Sequence, residues 1–129
     1  MHVSSGESDA SSSLLKPTGH LKNHPNVHFS HTIETRTLSL DSWARENGVG
    51  NIDFLWLDMQ GFELPMIEAA IETIGGVKGI YSEVSVSETY ENAILYTEFK
   101  KSLEDLGFEA VLELIPANTD MGNVLFIRK

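Results

Sequence analysis

Cysteine is absent from this chain of 129 residues, so the sequence excludes disulfide bonds and metal sites built on thiolates. Long hydrophobic runs are also missing, and none approaches the ~18 consecutive apolar residues that suggest a membrane-spanning helix. Basic residues are scarce, because 9 Lys and Arg stand against 19 Asp and Glu for a formal net charge of -10. Such an acidic chain matches neither a nucleic-acid backbone nor an anionic membrane. We therefore expect no nucleic acid and no membrane as partners, and a cytoplasmic protein.

A glycine-rich turn from a strand into a helix, which would cradle a cofactor, is missing as well. The nearest candidate is Gly48-Val49-Gly50-Asn51. It follows a predicted helix and precedes a predicted strand, which is the reverse of the order that a cofactor loop needs. Any cofactor site in this chain is therefore expected to be partial.

Histidines are present only in the first quarter of the chain, from His2 to His31. His20 and His24 have the i, i+4 spacing that can bind zinc on a helix. However, Pro25 follows directly, and no acidic residue stands between them as in metalloprotease helices. We interpret the histidines as surface residues of a loop or edge segment and predict no metal site.

The first part of the chain, residues 1–36, is predicted to be a loop with extended flanks. The polar stretch Gly6-Glu7-Ser8-Asp9-Ala10-Ser11-Ser12-Ser13 is too poor in apolar side chains to offset the entropy of ordering it. Asp9 and Ser11 to Ser13 are open to two interpretations, flexible loop or substrate contacts, and the composition favours the loop. The segments 2–4, 27–29 and 33–38 have the β-branched content of strands.

Residues 37–129 predict an α/β layer in the order strand, helix, strand, helix, strand, strand. A short helix at 42–47, begun by Asp41 or Ser42, precedes it. The run at 52–57 is almost entirely apolar, which is typical of a strand covered on both faces, so Trp56 is expected in the core, as is Trp43. The remaining elements are expected as helices at 63–74 and 95–106 and strands at 77–84, 109–115 and 123–127, with the last two antiparallel.

Candidate site residues follow the two central strands. Ligands of open α/β sheets bind beyond the carboxyl ends of the strands, where Asp58 and Glu83 stand. Two carboxylates beside one cleft would repel each other, and this repulsion with partial burial would raise the pKa of one enough for base chemistry. The alternative is structural, since an Asp after a strand often caps the next helix, and Glu63 could serve the same helix N-terminus. The acidic helix faces, Glu63/Glu68/Glu72 and Glu98/Glu104/Asp105, are interpreted as solvated surface.

Three blocks of this sequence resemble one enzyme family. They are Thr37-Leu38-Ser39-Leu40-Asp41-Ser42-Trp43, then Ile52-Asp53-Phe54-Leu55-Trp56-Leu57-Asp58-Met59-Gln60-Gly61-Phe62-Glu63-Leu64, then Gly122-Asn123-Val124-Leu125-Phe126-Ile127-Arg128. Their order and spacing resemble the FkbM-type methyltransferases, whose next strand end carries a glutamate that matches Glu83. The sequence departs at Gln60, where many members have Glu, and at Trp56, where Lys is common.

The resemblance implies the C-terminal half of a Rossmann-like methyltransferase domain, with residues 1–129 as a single partial domain. It implies methyl transfer from S-adenosylmethionine to a hydroxyl of a sugar or natural product. Asp58 and Glu83 are then the catalytic candidates, and Asp58, Met59, Gln60 and Gly61 the cofactor-binding ones. The family's earlier strands and glycine-rich loop are not in these residues, so the resemblance does not extend to activity of this chain by itself. A non-catalytic α/β binding module, or a homodimer through an exposed sheet edge, is the alternative.

Overall fold

The computed structural model describes all residues from 1 to 129 and contains two sheets. In chain order its elements are β1 (His2–Gly6), α1 (His20–Asn23), β2 (Val27–Thr32), α2 (Leu40–Glu46), β3 (Phe54–Leu57), α3 (Glu63–Glu68), α4 (Ile71–Ile74), β4 (Gly79–Ser85), α5 (Tyr96–Asp105), β5 (Phe108–Leu114) and β6 (Met121–Arg128). β1 and β2 form an antiparallel ribbon, while the larger sheet has the order β3-β4-β6-β5. β3 and β4 are parallel, and β6 runs antiparallel to both of its neighbours. The α/β class and the antiparallel final pair are confirmed.

The segment 63–74, predicted as one helix, is two helices, so that prediction is wrong. Asp41 gives the physical reason: its carboxylate oxygens accept the backbone N–H groups of Thr73 at 2.7 Å and Glu72 at 3.1 Å. These N–H groups are thus bound by a side chain instead of by carbonyls of the preceding turn, and α4 begins afresh. Asp41 consequently does not start its own helix. Ser39 does so, because its hydroxyl accepts the N–H of Ser42 at 3.2 Å.

The hydrophobic core lies between one face of the large sheet and helices α3, α4 and α5. Its 13 buried residues run from Leu57 to Phe126. Ile80, Val124 and Phe126 from the sheet and Leu103 from α5 have no exposed surface. Burying side chains of this size contributes roughly 1.5–3 kcal/mol each, so this layer is the main source of stability.

The opposite face of the sheet is uncovered at β3. Side chains alternate along a strand, and Leu55 and Leu57 face the core while Phe54 and Trp56 face away from it. Phe54 is 51% exposed and Trp56 is 74% exposed. The one aromatic ring that Trp56 contacts is that of Tyr81, in a T-shaped arrangement with 5.7 Å between the ring centroids. The expectation of a strand covered on both faces is therefore wrong, as is the placement of Trp56 in the core. The placement of Trp43 in the core is wrong as well, because this residue of α2 is 43% exposed.

The N-terminal residues fold back onto the carboxyl ends of β3 and β4. The backbone N–H groups of Thr18 and His20 both donate to the carbonyl of Thr89 at 3.0 Å, and the Ser13 hydroxyl donates to the carbonyl of Gln60 at 2.8 Å. Ser13 is buried, so the loop interpretation fails for this residue. β2 ends at Thr32, so the strand expected at 33–38 is absent. None of the helices has the length and apolar content needed to cross a bilayer.

Candidate active site

Asp58 and Glu83 lie side by side because of the register between β3 and β4. The strands are parallel, and Leu57 is paired with Ser82. The next residue along each strand is therefore Asp58 on one and Glu83 on the other, at the same edge of the sheet. The sequence predicted that these two carboxylates share one cleft, and the structure brings them together.

Gln60 joins the two carboxylates. Its amide nitrogen donates to Asp58 Oδ1 at 2.7 Å and to Glu83 Oε2 at 2.9 Å. The backbone of Gln60 is in the left-handed region, with φ of 53°, in the tight turn between β3 and α3. The predicted cofactor-binding residue Gln60 is thus a hydrogen-bonded part of the acidic group.

Glu63 is a third carboxylate of this group, and the sequence did not identify it as one. It is 5% exposed, so the prediction of a solvated surface is wrong for Glu63. Its Oε1 accepts the backbone N–H groups of Met59 at 2.8 Å and Gly61 at 3.4 Å. The expected role at the start of α3 is closer to what is observed, because Glu63 binds the N–H groups of the turn that leads into that helix. Burial nevertheless raises its pKa, since charge is costly away from water.

Glu83 has the electrostatics of a base. Burial, followed by the charges of Asp58 and Glu63, raises the pKa of Glu83 from 4.5 to about 7. At neutral pH the carboxyl therefore exchanges a proton readily, which is the property that a general base or acid needs. The same burial raises the pKa of Tyr90, so its hydroxyl stays protonated and acts as a donor.

A cleft of about 280 Å³ opens above this group of side chains. It is lined by Ser8, Ala10, Ser11, His20, His24, Val27, Asp58, Gln60, Glu83 and Met121. His20 is only 2% exposed, so its interpretation as a surface histidine is wrong. Its ring lies 4.7 Å from the ring of His24, whose Nε2 is 4.0 Å from Asp120 Oδ2. Burial and the neighbouring His24 lower the pKa of His20, so its imidazole is neutral at pH 7.

His20 and Tyr90 could not be found from the sequence as site residues. Tyr90 contacts Gln60 across 30 residues of the chain, and His20 lies in a segment without periodicity. Contacts of that kind depend on how the chain folds. His20 also has a buried Nδ1 without any hydrogen-bond partner. A signal did exist for Glu63, because it is the first residue of a predicted helix, where a carboxylate is favoured beside free backbone N–H groups.

Met59 and Gly61 complete the set of predicted cofactor-binding residues. Met59 lines two further cavities of about 330 and 490 Å³, and Asp58 lines the smaller of them. Gly61 has φ of 96°, and a Cβ there would lie 3.0 Å from Ala93 Cβ and 3.1 Å from Leu15 Cδ1. Glycine is thus required by the turn and its packing, while a contact of Gly61 with a cofactor stays a prediction. No group of three or more His, Asp or Glu side chains is arranged to hold a metal ion.

Comparisons with known proteins show the family to which this chain belongs. The family model described as the methyltransferase FkbM domain matches residues 2–110. A protein named 2-O-methyltransferase NoeI, from Sinorhizobium fredii (strain NBRC 101917 / NGR234), is 34% identical over 121 residues, which are 90% of this chain and 45% of the relative. The chain thus spans less than half the length of that curated relative. No solved structure matches the chain significantly. With the family model covering most of its residues, this chain belongs to the FkbM methyltransferase family.

Proposed function

We propose that the chain provides the acceptor-side part of an S-adenosylmethionine-dependent O-methyltransferase, with Glu83 as the base. The observation that carries the proposal is the hydrogen-bonded group of Asp58, Gln60 and Glu83, in which the pKa of Glu83 is raised to about 7. The relative is named as a 2-O-methyltransferase, which supports a hydroxyl as the acceptor. We propose a sugar or another hydroxylated small molecule as its carrier.

Two cavities adjoin Asp58, as a reaction between two bound molecules requires. One is the acidic cleft, which also contains Gln60, Glu83 and His20. The other is lined by Met1, Ser12, Ser13, Leu14, Thr35, Arg36, Thr37, Asp58, Met59 and Phe62. We assign the acidic cleft to the acceptor hydroxyl, because its side chains offer donors and acceptors for a polyol. The second cavity would then adjoin the cofactor.

The residues fit the cofactor in part. A bound S-adenosylmethionine supplies a methyl group on a positively charged sulfonium. The exposed carboxylate of Asp58 would attract that positive charge. Glycines that let a cofactor approach a strand-to-helix turn are not offered by this chain, since Gly61 packs against Ala93 and Leu15. The chain's own contribution is therefore assigned to the methyl end of the cofactor and to the acceptor.

Glu83 would hold the proton that the acceptor loses. A bound S-adenosylmethionine would supply the methyl carbon and keep the electron pair of its carbon–sulfur bond on sulfur, and the hydroxyl proton of the acceptor would pass to the Glu83 carboxylate. The cleft walls would orient the hydroxyl, since transfer requires the oxygen in line with the breaking bond. A general base of this kind typically contributes 10²–10⁴-fold to the rate.

Calorimetric titration with S-adenosylmethionine, which carries the sulfonium charge that Asp58 would attract, tests the cofactor part of this proposal. We expect saturable binding that is lost in Asp58→Ala and kept in Asp53→Ala, which removes an exposed carboxylate at the other end of β3 that pairs with Lys78. No heat of binding at millimolar ligand would overturn a cofactor contact by this chain. Methyl transfer from labelled S-adenosylmethionine to free sugars tests the base: Glu83→Gln should lower kcat about 10²-fold or more. An unchanged kcat would exclude Glu83 as the base.

A second candidate function is suggested by the uncovered β3. Its outer edge has no strand partner in the sheet order, and it exposes Phe54 and Trp56. Unpaired apolar edges of this kind favour pairing with another chain. We propose homodimerisation through β3 as the alternative to catalysis. The cytoplasmic location of the protein is a separate point and stays a prediction.

A further inference from the structure

Gln60 is placed so that a single amide group uses all of its polar atoms within the site. Both donors of its NH₂ group point to carboxylates, Asp58 Oδ1 and Glu83 Oε2. Its Oε1 accepts a hydrogen bond from the Tyr90 hydroxyl at 2.9 Å. The backbone carbonyl of Gln60 accepts a further bond, from the Ser13 hydroxyl. The side-chain amide and the backbone carbonyl of Gln60 are therefore both hydrogen-bonded, and the backbone of this residue is in the left-handed region.

Tyr90 determines which way the Gln60 amide faces. Tyr90 is 1% exposed, and its hydroxyl can donate its proton to Gln60 Oε1 or to the carbonyl of Ser11, which lies at 2.8 Å. Because burial raises the pKa of Tyr90, the hydroxyl remains a donor, and of the two polar atoms of the Gln60 amide only the oxygen can accept from it. The amide nitrogen is thereby turned toward the two carboxylates. Tyr90 also connects this group to the Ser11 wall of the cleft.

A neutral donor at position 60 has a clear electrostatic consequence. Asp58 and Glu83 would repel each other if both were charged, and Glu63 adds a third negative charge nearby. A donor between two carboxylates offsets that repulsion, whereas a glutamate at this position would add another carboxylate and supply no donor in its charged form. Gln60 is the only group that donates to both Asp58 and Glu83.

We propose that Gln60 and Tyr90 are positioning residues that hold Asp58 and Glu83 together as one acid–base pair at the floor of the cleft. The role of that pair in methyl transfer rests on the proposed function, but its geometry does not. Titratable groups face the pair from each neighbouring element: His20 and His24 from α1 and its C-terminus, Glu63 from α3, and Tyr90 from the segment before α5. Asp120, in the loop before β6, lies 4.0 Å from His24. Of these neighbours, only Tyr90 orients Gln60.

Carbon-13 NMR of the glutamate side-chain carboxyls, recorded from pH 4 to 9 on the whole chain, tests the proposal without cofactor or acceptor. The Glu83 signal is assigned from its loss in Glu83→Gln. Because the Gln60 donor favours the charged carboxylate, Gln60→Met should move the Glu83 midpoint upward from about 7 by about half a pH unit or more. Gln60→Glu should move it further. Tyr90→Phe keeps the ring and frees the amide, so a smaller upward shift is expected.

Tyr96→Phe is the matched control, since it removes a tyrosine hydroxyl on α5 that lies outside the cleft. This control should leave the midpoint unchanged. If Gln60→Met and Tyr90→Phe lower the melting temperature but leave the Glu83 midpoint where it is in the unchanged chain, both residues serve packing alone and the proposal is overturned. If Gln60→Met does not fold, Tyr90→Phe decides alone by the same criterion. Failure of the S-adenosylmethionine titration would instead count against the proposed function and leave this result standing.

Discussion

Glu63 Oε1 accepts the backbone N–H of Met59 at 2.8 Å, so a buried carboxylate holds the turn on which the candidate site is built. The interaction runs backward along the chain, from the first residue of α3 to the residue after Asp58. It links the stability of the fold to the placement of Asp58 and Gln60.

Glu63→Ala should therefore destabilise the protein. The change leaves the N–H groups of Met59 and Gly61 without their acceptor in a buried place, which typically costs ~1–3 kcal/mol. Glu63→Gln retains an acceptor oxygen and should lose less. Urea denaturation at pH 7 measures both. Equal losses for the two variants would mean that the charge of Glu63, and not its hydrogen bonds, holds the turn.

Stability should fall as pH rises through the range in which Glu83 ionises. Its pKa is raised in the folded state, so its stabilising contribution is complete below about 4.5 and is lost as pH rises through about 7. Allowing for solvent screening of a partly exposed carboxyl, the loss is on the order of 1–2 kcal/mol. Glu83→Gln should remove this component when urea curves are compared at pH 4.5 and 8. Glu104→Gln, at an exposed position on α5, is the control and should follow the unchanged chain.

His20 should act in the opposite direction. Its pKa is lowered by burial and by His24, so its contribution is complete above about 6.5 and is lost as pH falls below that value. The difference in unfolding free energy between the unchanged chain and His20→Phe should therefore change between pH 7 and 5. His31→Phe, at an exposed position, should show no such change. A pH-independent difference for His20→Phe would mean that His20 binds a proton equally readily in the folded and in the unfolded chain.

Two aromatic residues of the same sheet should differ sharply in their effect on stability. Phe126→Ala opens a cavity in the core and should cost roughly 3–5 kcal/mol. Trp56→Ser changes a side chain that is 74% exposed, and it should change the free energy of unfolding of a monomer by no more than ~0.5 kcal/mol.

Sedimentation velocity on the Trp56 variant tests homodimerisation through β3. If the unchanged chain sediments as a dimer and Trp56→Ser as a monomer, the exposed face is the interface. A monomer in both cases, at micromolar concentration, would count against the dimer.

The elements of the fold could mostly be predicted, because their signals are local. Gly107, with φ of 87°, follows the C-terminus of α5 and stops the helix. The apolar runs around Ile80 and Val124 are strands, as expected. The break between α3 and α4 could not be predicted, since it depends on Asp41, which lies 31 residues earlier. The exposure of Trp56 could not be predicted either, because an apolar strand has the same composition whether one of its faces is covered or both are.

The sequence by itself determined the α/β class and the proximity of Asp58 and Glu83, because residues that follow paired positions of two parallel strands lie beside each other. The structure corrects one detail, since β4 continues to Ser85 and Glu83 therefore lies within the strand and not beyond its end. Only the tertiary structure decided that Gln60 joins them, that Tyr90 turns its amide, and that Glu63 and His20 are buried beside them. The physical reason is that hydrogen bonds and burial depend on distances between residues far apart in the chain. Periodicity and spacing report on neighbours along the sequence, while the pKa of Glu83 is decided by neighbours in space.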